Sequence, residues 1–216
     1  KSKSGERGIF NREAAQAKAT SIGRESREDF WTNPCGEISL RSKQFCNLSE
    51  VVIREEDTTE DLKRKVEIAT IIGTIQSALV DFKYLSPKWK KNSEEERLLG
   101  VSLTGIFDHK IMSGMDEYAM SVLGQTLDNL REITRETNKE WAEKLGINPS
   151  KAITTVKPSG TVSQLVNSGS GIHPRYAKHY IRRVRADVKD PLADWMKEQG
   201  VPCEVDVYNP QNVVFS

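Results

Sequence analysis

The stretch Ala152-Ile153-Thr154-Thr155-Val156-Lys157-Pro158-Ser159-Gly160-Thr161-Val162-Ser163-Gln164-Leu165-Val166 changes rhythm twice. Ala152 to Val156 reads as a strand, Lys157-Pro158-Ser159-Gly160 as a tight loop, and Thr161 to Val166 as the start of a helix. Strand, glycine loop, helix is the order that aims backbone N–H groups at an anion. The hydroxyls of Ser159, Thr161 and Ser163 add to that donor set, which suits a phosphate or polyphosphate tail; an ordinary Ser or Thr helix cap fits the same residues. The wording is not the Gly-x-x-x-x-Gly-Lys-Ser/Thr P-loop, which needs a second glycine and a lysine on the other side.

Upstream of this stretch the pattern is helical. Thr58 to Asp61 has the Thr-x-x-Asp form of a capping box, and Leu62, Val66, Ala69, Ile72, Ile75, Leu79 and Phe82 then recur at three and four, which predicts a long helix with one buried stripe. Ser93-Glu94-Glu95-Glu96 is predicted to open a shorter helical stretch leading into Leu98-Leu99, its acids offsetting the dipole at the helix start. Asp116 opens a third helix through Ala119, Leu123, Leu127, Leu130, Ile133 and Trp141, and Gly146 stops it. Between Lys1 and Trp31 only the polar Ala-rich run from Asn11 to Ala19 is regular, and Val51-Val52-Ile53 leans toward strand. Downstream, Tyr180 to Ala186, Glu204 to Tyr208 and Asn212 to Phe215 read as strands, and Asp190-Pro191 caps a helix ending at Gly200. Helices separating short β runs place the chain in the α/β class.

Composition narrows the functions available. At 216 residues and 37% hydrophobic content the chain can bury a core, and no apolar run approaches the roughly 18 residues of a membrane span. Lys and Arg total 32 against 31 Asp and Glu, so the net charge of +1 gives no general pull toward nucleic acid, and anion binding has to be local. Three cysteines, an odd number, do not make a secreted disulfide scaffold, and a reducing, cytoplasmic setting is expected. His109, His173 and His179 lack metal-ligand spacing, so no metal site is assigned, and Arg182, Arg183 and Arg185 read as a solvated or interface face. The chain begins at Lys1 without a methionine and stops inside a strand-like run, so a piece of something longer is expected.

Asn33-Pro34-Cys35-Gly36-Glu37 carries the other candidate chemistry. In an extended chain, alternation puts Asn33, Cys35 and Glu37 on one side, where an amide, a thiol and a carboxylate meet one object. Such a set can hydrogen-bond a diol, accept a proton from it, and bring sulfur within reaction distance. A turn with an inert buried cysteine and a solvated glutamate fits the same residues. Cys46 follows 11 positions after Cys35, too far for a local redox pair but near enough to face the same cavity if the chain folds back. Cys203 reads as structural.

Together these motifs resemble the catalytic subunit of ribonucleotide reductase. Asn33 to Glu37 is similar to the family's finger-loop motif and Pro158 to Ser163 to its substrate-phosphate loop, in the same order along the chain. The Cys35 to Cys46 separation, the opening Gly5-Glu6-Arg7-Gly8-Ile9-Phe10 and the wording Lys157-Pro158-Ser159-Gly160-Thr161 are most similar to the adenosylcobalamin-dependent class II branch, especially its monomeric ribonucleoside-triphosphate reductases. The resemblance implies part of a ten-stranded α/β barrel, two parallel five-stranded halves set antiparallel. Residues 1–216 would be its C-terminal portion, with the finger loop at about 31–48, the phosphate loop at about 157–166, and the N-terminal half in the same or a companion chain. It further implies that Cys35 is the thiyl radical that abstracts the ribose 3′-hydrogen, Glu37 the base for the 3′-hydroxyl, and Asn33 the amide holding the ribose hydroxyls. Cys46 would be one of two reducing thiols, and Ser159, Gly160, Thr161, Val162 and Ser163 would meet the substrate phosphates. Adenosylcobalamin as cofactor, a ribonucleotide substrate and a thioredoxin-like reductant are implied in the same way, with Cys35 and Glu37 expected in an enclosed pocket opposite the turn near residue 160. A class I large subunit and a non-catalytic nucleotide-binding module are the competing readings.

Overall fold

The computed structural model describes residues 8–24 and 29–216. Residues 5–7 of the predicted family opening lie outside the described residues. Two compact units divide the chain between Arg175 and Tyr176.

The first unit is built on consecutive strand, helix, strand crossovers. After helix α1 (Arg12–Ser21), strands β1 (Trp31–Thr32) and β2 (Ser39–Leu40) form a short antiparallel hairpin. Strand β3 (Asn47–Val52) leads through helices α2 (Thr59–Ser77) and α3 (Pro87–Glu96) to strand β4 (Leu99–Thr104), which pairs with it in parallel, Asn47 opposite Leu99 and Val52 opposite Thr104. Helix α4 (Glu117–Leu145) returns the chain so that Thr154 forms an isolated parallel bridge with Val101. Parallel neighbours require such crossovers, because a tight turn cannot reverse the chain twice. The one-turn helix α5 (Val162–Leu165) follows. A mixed α/β architecture is therefore present, although the predicted strand at 152–156 is reduced to that bridge.

Local chemistry explains most boundaries. Asn11 caps α1, Asp116 caps α4, and Gly146 ends α4 with a left-handed φ of 64°. The capping box of α2 is complete: Thr58 Oγ1 accepts from the Asp61 N–H at 3.2 Å and Asp61 Oδ2 accepts from the Thr58 N–H at 2.9 Å.

The inward face of α2 departs from the predicted stripe. Leu62, Val66 and Ala69 are buried, but burial continues through Thr70, Gly73, Thr74 and Ser77, leaving Ile72 and Ile75 exposed and Leu79 beyond the helix end. Small residues win there because two neighbours come close. A Cβ on Gly73 would stand 3.3 Å from Leu99 Cδ2, and Asn138 of α4 donates to Thr74 Oγ1 at 2.9 Å. The Thr70 and Thr74 hydroxyls donate back to the Val66 and Thr70 carbonyls at 2.7 Å, so their burial leaves no unpaired donor.

Residues 93–96 end a helix rather than open one. Pro87 supplies the first turn of α3, and Arg97, with φ 45°, terminates it directly after Glu96. Glu94 and Glu95 lie one turn beyond Lys90 and Lys91, each pair 3.9 Å apart, while Glu96 is buried. The Leu98-Leu99 pair then enters β4, a strand that the Gly100 and Ser102 interruptions hide from a periodicity reading.

Val51, Ile53, Leu62, Val66, Ala69, Val101, Met112 and Leu130 form the core of this unit between the parallel strands and α2 with α4. Gly105 closes it: its φ is 74°, and a Cβ there would meet the Ile53 carbonyl oxygen at 2.6 Å.

The second unit is a three-stranded antiparallel sheet in which β7 (Asn212–Phe215) lies between β5 (Val184–Asp187) and β6 (Cys203–Val205). Helix α6 (Pro191–Glu198), capped by Asp190, adds Ala193 to the small core of Val213 and Phe215. The predicted strands at 180–186 and 204–208 are present over shorter spans. Arg183 pairs with Glu204, and Arg185 Nε donates to Asp206 Oδ2 at 2.6 Å. The Tyr208 backbone N–H, helped by Arg185, holds the Asp206 carboxyl below the ordinary aspartate value. Among the described residues no helix is long and apolar enough to cross a membrane.

Candidate active site

Register places the candidate residues. Along β3 and β4 the odd-numbered Val51 and Val101 enter the core, so Leu48 and Glu50, opposite Gly100 and Ser102, point to the other face. Two segments are seated on that face.

The first is the β1–β2 hairpin. Residues 33–37 are not extended: the Gly36 N–H donates to the Asn33 carbonyl at 3.0 Å, and Gly36 takes a φ of 85°. Proline after Asn33 and a positive-φ glycine reverse the chain, which overturns the alternation expected from an extended strand. Asn33 Oδ1 accepts from the Ile38 N–H at 3.0 Å, so the amide carbonyl is used inside the turn and its NH2 is what remains to meet a ligand. Cys35 sits at the turn tip and is exposed, so the described residues do not enclose its sulfur as expected.

Two contacts fix the hairpin to the sheet face. The Thr155 hydroxyl donates to the Glu37 carbonyl at 2.9 Å, and a Cβ on Gly100 would stand 3.4 Å from Ile38 Cδ1 and 2.4 Å from Leu48 Cδ2. A buried polar clamp holds the other side of the hairpin. Arg24 donates through Nε and Nη2 to the two oxygens of Glu96 at 3.2 and 3.0 Å, and through Nη1 to the Ser39 carbonyl at 2.9 Å. Gln44 donates to Glu96 as well, and the Arg24 guanidinium lies 4.7 Å from the Phe30 ring centre.

Glu37 and Cys46 come together. Glu37 Oε2 is buried with no hydrogen-bond partner. Burial, and then the negative charge of Glu37, push the Cys46 thiol above the ordinary cysteine value against a smaller lowering by a backbone hydrogen bond. Glu37 also lines a cavity of about 160 Å³ with Arg24, Ile38, Leu99, Ala152 and Thr154. Cys46 is half-buried, at the entrance to β3.

The second segment is the loop after Thr155. The Lys157 N–H donates to Ser102 Oγ at 2.9 Å, Ser159 Oγ donates to Glu50 Oε1 at 2.6 Å, and Lys157 Nζ stands 3.5 Å from Glu50 Oε2. Two of the three predicted phosphate-facing hydroxyls are turned inward: Ser159 is buried on Glu50, and the buried Ser163 donates to the Gly160 carbonyl at 2.7 Å. Gly160, Thr161 and Val162 are exposed. Farther on, Thr104 Oγ1 accepts from the Gly171 N–H at 2.8 Å, and Asp108 accepts from the Gly169 N–H and twice from Arg175. Both ends of the loop are thus tied to β4 or the turn after it.

No family model matches the chain. The chain is 33% identical over 205 residues to the adenosylcobalamin-dependent ribonucleoside-triphosphate reductase of Lactobacillus acidophilus, covering 84% of this chain and 27% of that protein. Over most of its length the chain is similar to one part of that reductase. The reductase of the same name from Lacticaseibacillus paracasei is 31% identical across 98% of this chain and 31% of its own length. A crystal structure of a B12-dependent class II ribonucleotide reductase superposes with a TM-score of 0.65 at 25% identity, over 85% of this chain and 28% of that one. The chain therefore spans between a quarter and a third of the class II relatives it matches.

Sequence reading missed Glu50, Ser102 and Thr155 as site-forming residues. Glu50 lies on β3 four positions after Cys46, which directly precedes the strand, a signal that becomes usable only once Asn47 to Val52 is known to be β.

Proposed function

We propose that this chain is the segment of a class II ribonucleotide reductase that carries the finger loop and the phosphate loop, and that it takes part in reducing ribonucleoside triphosphates to 2′-deoxyribonucleotides for DNA synthesis. The observation that carries the proposal is the unpaired buried oxygen of Glu37 beside the Cys46 thiol, on the sheet face that also seats the 157–163 loop.

In this reading Cys35, as a thiyl radical, takes the 3′-hydrogen of the ribose to become a thiol and gives it back to C3′ at the end of the turnover, which restores the radical. Glu37 Oε2 accepts the 3′-hydroxyl proton as the 2′-hydroxyl leaves as water. The Asn33 NH2 holds the ribose hydroxyls. Cys46 and a second thiol supply two electrons and two protons and end as a disulfide, which a thioredoxin-like reductant reopens. An elevated thiol pKa keeps Cys46 protonated at neutral pH, as a donor of hydrogen should be. The exposed backbone of Gly160, Thr161 and Val162 meets the substrate phosphates, with the buried hydroxyls of Ser159 and Ser163 shaping the loop from inside.

Adenosylcobalamin, when bound, supplies the radical by homolysis of its cobalt–carbon bond. The residue of this chain that fits as the receiving group is Cys35, whose thiol is exposed at the hairpin tip rather than packed in the core. A radical at that sulfur has to be kept from water and stray reductants. The other strands of a ten-stranded barrel, in this or a companion polypeptide, would supply the enclosure, a reading that the parallel β3–β4 pair and its Thr154 bridge support.

The test is Cys35→Ser in the complete reductase carrying this segment. Turnover of ribonucleotide is expected to vanish while nucleotide binding, read by equilibrium dialysis, persists. Retained turnover ends the radical reading in favour of a nucleotide-binding module, and full activity without adenosylcobalamin moves the assignment to class I.

A further inference from the structure

One carboxylate reaches both residues that flank Pro158. Glu50 is mostly buried, with its side chain 12% exposed, and it projects from β3 on the face shared with the hairpin. Its Oε1 accepts the proton of the buried Ser159 hydroxyl at 2.6 Å, and its Oε2 stands 3.5 Å from Lys157 Nζ. The strand neighbour of Glu50 on β4 is Ser102, whose Oγ accepts from the Lys157 N–H at 2.9 Å. Proline fixes its own φ, so pinning the residue before it and the residue after it sets the direction in which the loop leaves the sheet.

We propose that Glu50 is a positioning residue: it holds the 157–163 loop against the strand that begins beside Cys46, and so sets where substrate phosphates rest relative to the reducing thiol. The inference rests on the reductase reading and adds a residue to it. Ser159 Oγ has spent its proton on Glu50, so its part is to relay the position of the carboxylate rather than to donate to phosphate. Lys157 and Glu50 cancel in charge, so the loop meets an anionic ligand without a net negative neighbour from this pair. A loop displaced by about an ångström loses much of the advantage of a preorganised site. Because Glu50 acts on binding geometry rather than on the reacting bonds, its loss should appear in KM.

The experiment is a double-variant cycle in the complete reductase carrying this segment, with a ribonucleoside triphosphate as substrate. Glu50→Ala is expected to raise KM about tenfold with kcat within about threefold, Ser159→Ala to do nearly the same, and the pair together to do no more than the larger single change. Glu50→Gln, which keeps an acceptor for Ser159, should recover most of the loss. Additive effects, an unchanged KM in Glu50→Ala, or equal falls in kcat and kcat/KM overturn the inference. If Glu50→Ala does not fold, the same cycle with Glu50→Met, which keeps the length of the side chain and removes the acceptor, and Ser159→Ala decides, non-additive rises in KM supporting it and additive or absent rises overturning it. A wild-type enzyme that turns over no ribonucleotide refutes the function reading instead, before any Glu50 variant is measured.

Discussion

The Thr155 hydroxyl donates to the carbonyl oxygen of Glu37 across 118 positions of sequence, at 2.9 Å. This contact joins the strand-to-loop segment to the hairpin, so the two stretches that carry candidate chemistry are held by one another as well as by the sheet. Thr155→Val keeps the shape and removes the donor. A loss of about 1 kcal/mol is expected in denaturant unfolding, with faster proteolysis of the 31–40 hairpin; unchanged proteolysis would show that the bond does not hold the hairpin.

Glu96→Ala should be much more damaging. It leaves Arg24, only 4% exposed, without its carboxylate, and it releases the Ser39 strand and Gln44 together. Breaking a buried pair from one side costs about 3–5 kcal/mol. Equilibrium unfolding of the variant measures it, and a loss below about 1 kcal/mol would mean that water reaches the guanidinium.

Two glycines on β4 and just beyond it separate flexible from rigid crowding. At Gly100 an added Cβ meets side-chain tips of Leu48, Thr155 and Ile38, which rotate at a cost of about 1–3 kcal/mol. At Gly105 it meets the Ile53 carbonyl with the backbone already at φ 74°, so clash and strain add. Gly105→Ala is expected to lower stability more than Gly100→Ala, and the reverse order in thermal melting would contradict this account.

The Cys46 thiol gives a pH test. Its value is raised first by burial and then by the charge of Glu37, and the thiolate is the species that alkylates. Glu37→Gln removes the second cause and leaves the first, so the midpoint of the alkylation profile should move to lower pH and the rate at pH 8 rise about two- to tenfold. Peptide-resolved mass spectrometry distinguishes Cys46 from the exposed Cys35 and Cys203. A midpoint that stays in place would separate Glu37 from Cys46 in solution.

Local rules carried the reading far where one residue answers to its neighbours. Thr58 with Asp61, Asp116, Gly146 and Asp190 mark helix ends from side-chain and backbone chemistry that acts within a turn. The same rules failed at Ser93 to Glu96, where an acidic run fits a helix start but Glu96 answers to Arg24, 72 positions away. They failed on α2 because Gly73 and Thr74 are buried by Leu99 and Asn138, not by any periodicity of their own.

The chain's own wording decides where α1, α2, α4 and α6 are capped or stopped, and that a glycine loop follows a short β run at 152–156, because each follows from propensities and dihedral limits within a few residues. Long-range packing alone decides that the turn lies back on the sheet with Cys35 outward and Glu37 toward Cys46, and that Ser159 points to Glu50 rather than to solvent. Those outcomes depend on which buried polar groups find partners, and a buried carboxylate or hydroxyl takes whichever partner the assembled sheet brings within reach.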